Sequence, residues 1–127
     1  MEEHGWKEYF KVDILDAEGP DLVLDIKNGE KIKKNFVGKN IEKYDSMLVL
    51  SHFKGHPMGD PCITDIGILI SDDPIAIDQA CIDLVYSSSD LGKPHLIERI
   101  ESRNGIHTIE AAAKLGYGSR EYELIEI

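Results

Sequence analysis

Two short uncharged runs, Met47-Leu48-Val49-Leu50 and Ile66-Gly67-Ile68-Leu69-Ile70, constrain the fold of this chain more than any other feature. Each is shorter than an ordinary helix, and each is apolar at consecutive rather than helically spaced positions. Runs of this kind form strands covered on both faces, as at the centre of an α/β sheet. The stretch between them, 51–62, is polar, contains glycine and proline, and interrupts regular structure. In open α/β sheets, ligands bind where loops leave the carboxyl ends of buried strands, and residues 51–59 occupy such a place.

The rest of the chain supplies elements to pack around those strands. Residues 11–16, 22–27 and 31–37 read as short strands, separated by Glu18-Gly19-Pro20-Asp21 and by Asn28-Gly29. Asn-Gly between strand-like runs predicts a hairpin, pairing 22–27 with 31–37 antiparallel. Glu2 to Trp6 read as the last turn of a helix with Gly5 as its cap, and 40–44 as a short helical turn. Asp72-Asp73-Pro74 opens a helix, with an acidic N-cap and proline in the first turn, that runs to about Tyr86. A second helix covers about 94–103 and is stopped by Asn104-Gly105. A third covers about 108–115, with Gly116 as cap. Residues 121–127 alternate and close as a strand. The expected fold is α/β: one domain over 1–127, a mixed β-sheet with helices packed on it. A length of 127 residues suits one domain.

Charge narrows the range of partners. The net charge is −10; residues 1–60 carry 9 basic and 12 acidic groups, residues 61–127 carry 5 and 12. A chain this acidic repels phosphate backbones, and no basic stripe with interleaved aromatics is present, so nucleic acid is not an expected partner. Lys31, Lys33, Lys34 and Lys39 read as a solvated face. No run of ~18 apolar residues occurs, so no membrane partner is expected. Cys62 and Cys81 make neither a C-x-x-C pair nor a disulfide framework, and the expected location is cytoplasmic.

The chemistry concentrates in the turn Ser51-His52-Phe53-Lys54-Gly55-His56, followed by Asp60 and Cys62. Two functional readings stand side by side. In one, His52 and His56 ligate a metal ion, with Asp60 or Cys62 completing the set; histidine nitrogen and thiolate suit zinc or iron. In the other, Lys54 and the amides around Gly55 hold a small anion, and a histidine acts as general acid or base. Against both stands a purely structural role, in which Ser51 and the histidines cap strand ends. A helical wheel over 74–86 puts Gln79, Asp83 and Tyr86 in one polar arc and leaves Asp78 between Val85 and Ile82 in the apolar arc. A carboxylate there calls for a partner, with Lys54, His52, His56, Arg99 and Arg103 as candidates; a structural ion pair or a solvent-facing gap would serve equally. Cys81 reads as an inert core thiol, and Cys62, after Pro61 in a loop, as the more accessible one.

At these residues the chain resembles a known family. Val49-Leu50-Ser51-His52-Phe53-Lys54-Gly55-His56-Pro57-Met58-Gly59 is similar to a signature of the domain-of-unknown-function family 362. So are Asp65-Ile66-Gly67-Ile68-Leu69, the stretch from Asp73-Pro74 to Ala80-Cys81, and Leu96 through Thr108. The resemblance implies an iron–sulfur association, because many members carry ferredoxin-like cysteine clusters. It also implies that this chain is a shortened member. Where longer members continue from Gly59 into a glycine-rich and then a cysteine-rich segment, this one passes to Asp60-Pro61-Cys62. With two cysteines, a four-cysteine cluster cannot be completed within one chain. The expectation is therefore a domain that binds a metal ion or small anionic ligand at Ser51 to His56, with Asp78 in support. The alternatives are a non-enzymatic interaction or homo-oligomerisation module whose site went with the missing segment, and a redox protein working with an iron–sulfur partner.

Overall fold

The computed structural model describes residues 5–53 and 61–127. The chain divides into two compact units, Met1–Leu50 and Ser51–Ile127. The first begins with one helical turn, α1 (Trp6–Tyr9), entered through Gly5 at φ 67°. Gly5 thus precedes the helix, where the sequence suggested that it ended one; Glu2 to His4 lie outside the described residues. Strands β1 (Leu22–Asp25) and β2 (Lys34–Val37) form an antiparallel hairpin in the register Leu22↔Val37 to Asp25↔Lys34. The ladder continues one step further, with Ile26 N–H donating to Lys33 C=O. The Asn28-Gly29 signal marks the turn: Asn28 is left-handed at φ 61°, and the Gly29 N–H donates to the Ile26 carbonyl. A Cβ on Gly29 would sit 2.2 Å from the Ile32 carbonyl oxygen, so only glycine fits there. A 3₁₀ turn (Lys39–Lys43) follows, close to the expected 40–44.

The second unit carries three helices: α2 (Pro74–Ser87), α3 (Lys93–Ser102) and α4 (Ile106–Lys114). Their bounds fall within two residues of the sequence reading, because the stop and start signals are local chemistry. Asp73 caps α2, its Oδ1 accepting from the Ile75 and Ala76 amides at 2.8 and 3.0 Å. Its Oδ2 accepts from the Ser119 amide at 2.8 Å, which fastens the C-terminal tail to the helix start. Asn104 turns left-handed at φ 54° between α3 and α4, and Gly116 does so at φ 80° after α4. Every buried apolar side chain among the described residues lies on these helices: Ile75, Ala80, Ile82 and Val85 on α2, Leu96 and Ile100 on α3, and Ile109 on α4. They form two clusters bridged by Phe53 and Tyr86.

Helix and strand are both present, in keeping with the α/β class. The sheet is smaller than expected. Among the described residues it has two antiparallel strands, and the runs 11–16, 46–51, 66–70 and 121–127 pair with nothing. The physical reason is that apolar content makes a run able to form a strand, but only a partner's backbone makes it one. Among the described residues these runs meet none.

Two outcomes test this fold. Leu96→Ala should cost about 2–5 kcal/mol of unfolding free energy, measured by urea denaturation, since it opens a cavity where α2 and α3 meet. Asp73→Ala should lower the melting midpoint at pH 7. Amides of Ala76 and Ser119 hold the Asp73 carboxyl below its ordinary value. Its contribution is therefore present above the unfolded value of ~3.9 and lost as pH falls through the lower folded value. The gap between wild type and variant should close over that acid range in circular-dichroism melts.

Candidate functional site

The turn that the sequence singled out is described only up to Phe53; Lys54, Gly55, His56 and Asp60 lie outside the described residues. Ser51 and His52 are exposed, while Phe53 packs into both helical clusters and anchors the turn's first half. His52 Nε2 lies 3.6 Å from Asp65 Oδ1, with both side chains solvated. Such a pair is weak. Asp65 is the carboxylate beside this histidine, a role the sequence had offered to Asp78. The one sequence signal for it was its place at the head of the 66–70 run, across the loop from His52.

Asp78 is exposed, which agrees with the solvent-facing gap that the helical wheel left open. The wheel assumes a neighbour on every apolar side; here α3 and α4 cover the faces of Ile75, Ile82 and Val85 but leave Asp78 open. Among the described residues it makes no hydrogen bond or ion pair, and partial desolvation raises its carboxyl above the ordinary range. Arg99, one of its suggested partners, instead directs Nη1 to Cys62 Sγ at 3.6 Å. Cys62 is half-buried against the cluster of Val85, Leu96 and Ile100, and Cys81 is half-buried too. Burial, and then the charge of Asp78, push the Cys81 thiol up, in keeping with an inert thiol. Among the described residues no group of three His, Cys, Asp or Glu side chains is placed to hold a metal ion.

Two exposed stretches, 47–50 and 66–70, are instead apolar. Leu48 and Leu50 are 84% and 87% exposed. In the second run Ile66, Ile68 and Ile70 are 47%, 95% and 89% exposed, while Leu69 is half-buried, so the isoleucines share one open face. This second run is tethered at both ends. Asp90 Oδ2 accepts from the Thr64 amide and hydroxyl at 3.0 and 2.8 Å, and Asp90 Oδ1 accepts from the Gly92 amide. These bonds hold the Asp90 carboxyl below its ordinary value, that from the Thr64 amide most. At the other end Ser71 Oγ accepts from the Asp73 amide at 3.0 Å, next to the α2 cap. In the first unit an open groove of about 640 Å³ runs past Lys11, Asp13, Tyr44, Met47 and Leu48. Asp13 accepts there from Asn40 Nδ2 at 3.1 Å and from the Tyr44 hydroxyl at 3.0 Å, and that bond raises the Tyr44 pKa. Among the described residues no helix is long and apolar enough to cross a membrane.

Asp78→Asn should raise the melting midpoint at pH 7. A raised folded pKa means no penalty below the unfolded value of 3.8 and a growing penalty as pH rises through the folded value. The gain should therefore vanish in melts run below about pH 4, and an unchanged midpoint at pH 7 would exclude it.

No curated protein and no solved structure matches the chain. The family described as Domain of unknown function (DUF362) matches residues 1–60, which take in the hairpin, the groove, the first apolar run and the whole 51–56 turn. Over that segment, a little under half of its length, the chain is similar to the domain-of-unknown-function family 362.

Proposed function

We propose that this chain is a non-enzymatic interaction module, whose apolar runs at 47–50 and 66–70 are completed by strands of another chain. The single observation that supports this reading is their exposure without a backbone partner among the described residues. Strand-forming apolar segments with open amides and carbonyls are templates for pairing. The thin core strengthens the reading: the described residues of Met1–Leu50 bury no apolar side chain, while Trp6, Phe10, Ile14, Ile32 and Phe36 are all exposed. A segment of that size does not hold itself together on so little burial. Two half-buried thiols in reduced form suit a cytoplasmic setting.

A second reading, a metal ion or small anion at Ser51 to His56, has one observation in its favour: His52 is solvent-facing and its ring nitrogen lies beside a carboxylate. Titration of untagged protein with zinc and with ferrous iron under anaerobic conditions tests it, and the absence of binding by both removes the metal version.

The interaction reading is tested by hydrogen exchange on dilute monomer. The amides of 46–51 and 66–70 should exchange at nearly the rates of an unfolded chain, while those of α2 and α3 are protected. Protection of both runs in the monomer would mean that they are already paired, and would end this reading.

A further inference from the structure

We infer that residues 66–70 are a docking edge for an extended strand of a different protein, apolar in its centre and flanked by lysine or arginine. The inference rests on the interaction reading above and names the partner's chemistry. Three observations carry it.

The edge is ready to pair. Thr64 is held by Asp90 and Ser71 is held by the Asp73 amide, so the run between them is fixed at both ends without being paired along its length among the described residues. Less conformational freedom remains to be lost on docking than in a free loop. Ile66, Ile68 and Ile70 offer a row of β-branched side chains on one face. Gly67, on the other face, has nothing within 4 Å of where a Cβ would stand, so a partner strand can approach closely.

The edge is also undefended. Solvent-facing edges are commonly protected by lysine, by proline or by a charge pointing inward. Residues 65–71 have one charge, at the very start, and no lysine or arginine occurs anywhere between Lys54 and Lys93.

The flanks select the partner's charge. Asp65 stands at one end of the run and Asp72 at the other, both exposed; Asp65 has only a weak, solvated pair with His52. A second copy pairing this run with its own 66–70 would bring the same aspartates, and any second copy brings a net charge of −10 against its own kind. Like charges beside a strand pair disfavour that pairing, whereas lysine or arginine at the ends of an apolar strand fits it.

The experiment uses the full chain and two short peptides with a common core of alternating valine and threonine. One carries a lysine pair at each end, the other a glutamate pair. Binding is followed by fluorescence anisotropy at low salt, and the site by hydrogen exchange. The lysine-flanked peptide should bind about tenfold or more tightly than the glutamate-flanked one, with protection gained at 66–70, and the preference should shrink as salt rises. Asp65→Lys with Asp72→Lys should reverse the preference, and Ile68→Lys should abolish binding of both; far-UV circular dichroism checks that α2, α3 and α4 remain. The salt series on the unaltered chain needs no variant. Equal affinity for the two peptides, binding of neither, or protection of 66–70 that rises with the concentration of the chain alone would each overturn the inference. Protection of 66–70 in dilute monomer without peptide would instead refute the interaction reading beneath it.

Discussion

The contact of α2 with α3 and α4 is the interaction on which the described structure rests. Val85, Leu96 and Ile100 make one cluster, and Ile75, Ile82 and Ile109 the other. Each fully buried side chain of this kind contributes roughly 1.5–3 kcal/mol relative to exposure. No other part of the described chain buries apolar side chains. The polar fastenings all serve this small core. Asp73 ties the tail to the start of α2, and Asp90 ties the 62–64 loop to the start of α3. On the polar arc of α2, Gln79 donates to Asp83, which also accepts from the Tyr122 hydroxyl, while Arg120 Nε donates to Gln79 Oε1. The tail is thus laid along the helix by hydrogen bonds between exposed groups, and Leu124, Ile125 and Ile127 beyond it remain in solvent.

What could be read from the sequence divides along the range of the interaction involved. The helices of the second unit were legible nearly to the residue, because Asp73-Pro74, Asn104-Gly105 and Gly116 act on their immediate neighbours. The hairpin was legible for the same reason, with Asn28 and Gly29 setting the turn by their own backbone preferences. Even so, the second strand is shorter than its apolar and basic pattern suggests, starting at Lys34 rather than Lys31. The strands of the larger sheet were not legible, because pairing is a non-local property. Ile66 to Ile70 carry everything a strand needs except a neighbour.

The candidate site shows the same division. The position of Asp78 was judged from helical geometry alone, and a wheel records direction without recording what stands opposite. With α3 and α4 covering other faces, the carboxylate is exposed, partly desolvated, and has no cation partner among the described residues. The Arg99 guanidinium, which the sequence offered as a partner for Asp78, and the Cys62 sulfur, which it put in a loop, lie 3.6 Å apart at the edge of the core. No spacing rule links positions so far apart in the chain. His52 and Asp65 are likewise brought together by the closing of the loop between the two apolar runs.

The two exposed runs and the family match bear on each other. The match covers 1–60 and so ends inside the polar stretch that joins the run at 47–50 to the run at 66–70. Both runs have the composition of strands covered on two faces. Leu48, Leu50, Ile68 and Ile70 are among the most exposed large side chains in the structure. Exposing such residues close together, with their backbone groups unpaired among the described residues, is costly in a free monomer, and it invites aggregation unless a specific partner takes the surface. Net charge opposes association between copies and leaves the uncharged stretches as the only local exceptions. Selection by flanking charge then does what lysines on a protected edge would do: it turns an indiscriminate template into one that pairs with strands of opposite charge and rejects its own kind.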